Sequence, residues 1–84
     1  MLKEKFKELG YTKLNTYYNS LYEKSIFNLV TINIKTNKKC TKIIDFEVDG
    51  YRFIDKQSQL DENQKAFNVM QKDLEELKNV ESER

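Results

Sequence analysis

The apolar residues of this chain change their spacing once, and that change decides the fold class. Over residues 11–54, β-branched and aromatic side chains alternate with polar ones, the period of half-buried strands. From Leu60 onward, Leu60, Phe67, Met70, Leu74 and Leu77 are spaced as one face of a helix. At the other end Leu2, Phe6 and Leu9 follow the same helical spacing, with Lys and Glu between them. A chain of 84 residues has room for one core, because it buries only about 60–65% of the surface exposed when unfolded. The expectation is a single α+β domain over residues 1–84, with 79–84 as a frayed polar tail. It would comprise a short N-terminal helix, an antiparallel β-meander of three to five strands, and a longer C-terminal helix packed on the sheet.

Local signals place the elements. A helix over residues 3–9 is stopped by Gly10, which supplies a left-handed position. Asp49-Gly50 reads as a two-residue hairpin turn between 45–48 and 51–54, setting Val48 against Tyr51, Glu47 against Arg52 and Phe46 against Phe53. A strand over 26–36 precedes it, joined through a turn of Asn37, Lys38 and Lys39 to a strand starting at Cys40. That loop length sets Ile32 opposite Ile44 and Val30 opposite Phe46. Residues 17–22 read as a further strand, with Asn15-Thr16 bending the chain between it and a short strand at 11–14. The C-terminal helix takes Ser58 or Asp61 as its N-cap, with Gln64 completing a capping box, and runs to about Val80.

Absent residue types exclude chemistry. There is no His, and Cys40 is the only cysteine, so neither an intramolecular disulfide nor a zinc site of Cys and His ligands can form within one chain. The glycines Gly10 and Gly50 make no phosphate-cradling loop. The expectation is a protein that is not an enzyme and uses no cofactor or metal. Asp45 and Glu47 share a strand face, a geometry open to acid chemistry, but a solvated sheet surface with Glu47 paired to Arg52 is the preferred reading. Cys40 follows two lysines that would lower its thiol pKa, yet it reads as a small half-buried residue without assigned function. The most apolar stretch, 26–34, is interrupted by Asn28, Thr31 and Asn33. No signal-peptide or membrane-spanning pattern stands out, so a cytoplasmic protein without membrane contact is expected.

Charge is divided unevenly. The net charge is only +1, but residues 1–44 hold nine lysines against three glutamates, while residues 45–84 hold eleven acids against six bases. Lys35, Lys38, Lys39 and Lys42 gather around one proposed turn without an intervening acid, and Tyr11, Tyr17, Tyr18 and Tyr22 lie on the same basic half. Lysines with aromatics can hold a nucleic-acid backbone and stack bases. A second candidate surface is a protein-binding one: Phe27, Leu29 and Ile43 on a face of the sheet not covered by the helix, with Asp45 and Glu47 beside them. The expected assembly is a monomer or weak homodimer.

The opening Phe6-Lys7-Glu8-Leu9-Gly10-Tyr11, followed by a Tyr- and Lys-rich β region and a closing helix, resembles short uncharacterised proteins encoded by phages and prophages of low-GC Gram-positive bacteria. The longer acidic C-terminal helix departs from that pattern, and no active-site residues carry across. The resemblance implies a non-catalytic accessory role, binding and modulating a host or phage macromolecule, with an anti-CRISPR-like inhibitor as one form. A small nucleic-acid-binding protein using the lysine-rich hairpin is the alternative.

Overall fold

The computed structural model describes residues 1–26, 30–50 and 56–82, with the backbone alone at 15, 50, 56–60 and 82. Helix α1 spans Leu2–Glu8 and buries Leu2 and Phe6. It ends as its sequence demands: Gly10 takes φ +92°, its N–H bonds the Lys7 carbonyl at 3.1 Å, and the Tyr11 N–H reaches back to the Phe6 carbonyl at 3.0 Å. Those two bonds close a Schellman motif, and the apolar contact that accompanies one is supplied by Phe6 and Tyr11, edge to face at 5.4 Å. So short a helix is unstable alone, and its anchor is the Phe6 ring, stacked on Tyr22 with centroids 3.9 Å apart.

Strands β1 (Thr12–Asn15), β2 (Asn19–Ile26), β3 (Val30–Asn37) and β4 (Ile43–Gly50) form an antiparallel sheet in sequential order. Even-numbered residues of β2 and β3 point to one face, where Ser20, Tyr22, Val30, Ile32, Ile34 and Thr36 are buried. Helix α2 (Lys56–Ser82) covers that face along β3 and β4 and also meets α1. The core lies between them: Leu2 and Phe6 from α1, Tyr11, the even residues of β2 and β3, and Met70, Leu74 and Leu77 from α2. This is the α+β architecture expected, with four strands among the described residues.

Several local expectations are corrected. The register of β3 and β4 sets Ile34 against Phe46 and Ile32 against Val48, not Ile32 against Ile44 and Val30 against Phe46. The last ladder pair, Thr36 with Ile43, encloses residues 37–42, three more than the expected Asn37-Lys38-Lys39 turn, and one extra residue in β4 restores the parity, so apolar residues still face one another while the register moves. Cys40 lies inside this turn rather than opening a strand. Asp49 and Gly50 belong to the ladder, opposite Thr31 and Val30, instead of forming a turn. Tyr51, Arg52 and Phe53, the expected partners across that turn, lie outside the described residues, as do Phe27 and Leu29. Between Lys35 and Thr36 the register slips and Ile44 becomes an extra residue. Such a bulge reverses the side-chain alternation, so Ile43 faces Thr36 on the covered face and packs against the core rather than lying on the open one. Residues 17 and 18 form a turn, not a strand, and Ile26 ends β2 rather than opening β3.

Helix α2 begins at Lys56, so Ser58 and Asp61 lie within it, and the expected frayed tail is helical as far as Ser82. Of the predicted stripe, Met70, Leu74 and Leu77 are buried, whereas Phe67 is 43% exposed and Ala66 occupies the inward position. The inward face runs through Ala66, Met70, Asp73, Leu74 and Leu77, with Asp73 bonded to the Tyr11 hydroxyl and the Lys24 ammonium. We expect Phe67→Ala to cost about 1 kcal/mol, as suits a half-buried ring, while Met70→Ala costs about 2–5 kcal/mol. Urea midpoints of the two variants measure the difference, and equal losses would contradict this helix orientation.

Candidate functional site

Antiparallel meander topology brings both the β1–β2 and the β3–β4 turns to one end of the sheet. Each turn is built by a side chain. In the first, the Thr16 hydroxyl donates to the Asn19 carbonyl at 2.6 Å and accepts from the Asn19 N–H at 3.1 Å. Tyr17 and Tyr18 are thereby left at the tip, 84% and 79% exposed, with their rings edge to face at 4.6 Å. In the second, Asn37 Oδ1 accepts from the N–H groups of Thr41 at 2.8 Å and Lys42 at 3.1 Å, while its Nδ2 donates to Thr41 Oγ1. This places Cys40 at φ +56°, a left-handed conformation, and directs its thiol inward.

The two turns are tied together by Lys38. Its ammonium donates to the carbonyl of Thr16 at 2.9 Å and to that of Tyr17 at 3.5 Å. Carbonyl acceptors leave its positive charge uncancelled. The start of α1 and the end of α2 reach the same end of the molecule, where Glu81 Oε2 accepts from the Ile43 N–H at 3.4 Å. Between these elements and β1 lies a half-enclosed recess of about 650 Å³ walled by Lys3, Lys13, Lys38 and Lys39, with Leu2, Cys40 and Val80 among its other lining residues. Lys3, Lys13 and Lys39 form no ion pair among the described residues.

Cys40 is 9% exposed, and its Sγ lies 3.0 Å from the Tyr22 hydroxyl and 3.7 Å from that of Thr36. Burial pushes the thiol up, but hydrogen bonds from Tyr22, Ser20 and Thr36, with the charge of Lys13, outweigh it and hold the thiol below its ordinary range. Tyr22 moves the opposite way, raised first by burial and then by its bond to Cys40.

The remaining predicted residues are dispersed. Lys35 lies on the open face, opposite Asp45 in the ladder, and Lys42 is exposed at the far end of the turn. Asp45 and Glu47 share that open face and are exposed. Tyr11 and Tyr22 are core residues, so of the four tyrosines only Tyr17 and Tyr18 are available to a partner. Sequence reasoning missed Lys3 and Lys13, which only the fold carries to the lysine-rich turn. Among the described residues no group of His, Cys, Asp and Glu is placed to hold a metal ion, and no helix is long and apolar enough to cross a membrane. No protein-family model matches the chain, and neither a curated protein nor a solved structure does.

Proposed function

We propose that this protein is a non-catalytic binding protein that takes single-stranded nucleic acid on the end of its sheet, with Tyr17 and Tyr18 as a stacking platform and Lys38 and Lys39 on the phosphates. One observation carries the reading: the Lys38 ammonium is hydrogen-bonded to the backbone beside an exposed pair of aromatic rings. Exposed tyrosines with adjacent lysines are the parts that bind single strands without reading sequence, because every base has a face to stack and every link a charge. The scarcity of arginine, two residues against thirteen lysines, fits backbone recognition better than base readout in a duplex groove. An accessory role of the phage type, serving some other machinery, belongs to the same proposal.

The test is an anisotropy titration with a labelled single-stranded oligonucleotide. Tyr17→Ala and Tyr18→Ala should each lower affinity by roughly 1–3 kcal/mol, about fivefold to 150-fold, without changing stability. Unchanged affinity in both variants would exclude the tyrosine platform. A second reading is favoured by the exposed acidic row Asp45, Glu47 and Asp49 on the open face, which suits a basic protein partner. Charge reversal at Asp45 and Glu47 would then abolish partner capture and leave oligonucleotide binding intact.

A further inference from the structure

We infer that the recess beside the tyrosine pair receives the phosphorylated end of the bound strand. This inference rests on the single-strand reading above and adds a site to it. Lys38 is shared between the two features: its ammonium lies on the Thr16 and Tyr17 carbonyls, and its side chain forms part of the recess wall. A strand stacked on Tyr17 and Tyr18 can thus pass over Lys38 toward the recess. At about 650 Å³ the space lies within the range of small-molecule pockets, about 300–1,000 Å³, and accommodates a nucleotide. Being half-enclosed, it suits a chain end better than a continuous strand.

The charge arrangement favours a dianion. Four lysines, Lys3, Lys13, Lys38 and Lys39, stand around the recess against two acids, Glu4 and Glu81. Glu4 is paired with the Met1 amino group at 4.0 Å, while Glu81 accepts from the neutral Ile43 N–H at 3.4 Å and keeps its charge, so the four lysines outweigh it. A terminal phosphate monoester carries about −1.5 to −2 charges at neutral pH, where an internal diester carries one, so the lysine surplus discriminates in favour of the end. Leu2 and Val80 supply apolar wall for the sugar or base. Lys3 and Lys13 come from α1 and β1, elements that take no part in the tyrosine platform, which makes the two functions separable.

The experiment compares oligothymidylates of about ten nucleotides, a length within the site sizes of single-strand binders, carrying a 5′-phosphate, a 3′-phosphate or neither. One phosphorylated form should bind about tenfold more tightly than the unphosphorylated strand, from one strengthened charge-assisted contact. Lys3→Gln with Lys13→Gln should erase that gain while the unphosphorylated strand binds as before. Competition by the matching thymidine monophosphate gives a second readout. It should remove the gain of the favoured phosphorylated strand and leave the unphosphorylated strand bound as before. Equal affinity for all three strands, or a gain that survives both substitutions, overturns the terminal pocket while strand binding stands. Equal competition by the same concentration of inorganic phosphate assigns the recess to a free anion and likewise overturns the inference. If no strand binds at all, the single-strand reading itself falls.

Discussion

Phe6→Ala is expected to be among the most destabilising single substitutions in the protein. The ring is fully buried, stacked on Tyr22 at 3.9 Å and met edge-on by Tyr11 at 5.4 Å, and it is the means by which α1 is held to the sheet. Removing a buried phenyl ring costs about 3–5 kcal/mol, the lost transfer energy plus the cavity left behind. Domains are stable by roughly 0.05–0.15 kcal/mol per residue, about 4–13 kcal/mol at this length, so such a loss removes a large share of the margin. In a thermal melt it corresponds to a fall of roughly 12–40 °C. The damage should spread beyond α1, because Tyr22 also holds the Cys40 thiol at 3.0 Å and thereby the β3–β4 turn. A loss below about 1 kcal/mol would show that α1 is dispensable.

The second large effect concerns the one buried charged side chain among the described residues. Asp73 is 5% exposed and its Oδ2 accepts from the Tyr11 hydroxyl at 2.9 Å and from the Lys24 ammonium at 3.0 Å. Lys24 also lies over the Tyr11 ring, 5.2 Å from its centroid. This triad joins α2 to the chain just after α1 and to β2. Asp73→Ala should cost about 3 kcal/mol, because it strands a largely buried ammonium and a buried hydroxyl together. Replacing all three members, with Tyr11→Phe, Lys24→Met and Asp73→Leu, should recover most of that loss, since apolar residues of similar volume often match or exceed a buried ion pair. Chemical denaturation of the single and triple variants decides it, and a triple variant as unstable as the single one would contradict the desolvation argument.

The same network sets an alkaline limit. Tyr11 is held above the ordinary phenol range by burial, by its bond to Asp73 and by that carboxylate's charge, and Tyr22 is raised by burial and by Cys40. The unfolded chain therefore loses its phenolic protons first. The stability these two groups contribute is fully present below the unfolded phenol pKa of about 10 and is lost as pH rises beyond it. Tyr11→Phe should flatten that decline, as read from denaturation midpoints between neutral pH and pH values above the unfolded phenol.

The parts of the fold legible in the sequence were those with one local cause. Gly10 after a short apolar stripe marked the end of α1, and the alternation of Val30, Ile32 and Ile34 marked the buried face of β3. Where two signals competed, the longer-range one prevailed. Asp49-Gly50 is a strong turn dipeptide, yet pairing of β4 with β3 carries the strand through it. Tyr17 and Tyr18 have high strand propensity, yet the Thr16 side chain bonds across them and makes a turn. The bulge at Ile44 left no signature in composition, and it alone sends Ile43 inward. Phe67 is the largest apolar residue of its stripe, but Asp73, bonded to Tyr11 and Lys24, lies on the inward face and Ala66 takes the inward place. The candidate site was half visible for the same reason: the lysine cluster is contiguous in sequence, whereas its approach to Tyr17 and Tyr18, and to Lys3 and Lys13, exists only once the meander brings both turns to one end.

The most direct test of the single-strand reading is the salt dependence of oligonucleotide affinity. Each phosphate neutralised on a single strand contributes a slope of about −0.7 to a plot of log affinity against log salt, so Lys38 and Lys39 together predict about −1.4 or steeper. Lys38→Gln with Lys39→Gln should reduce the slope by about that amount, and Tyr17→Ala should weaken binding without changing it. Affinity that is independent of salt, or a slope unmoved by removal of both lysines, would contradict it.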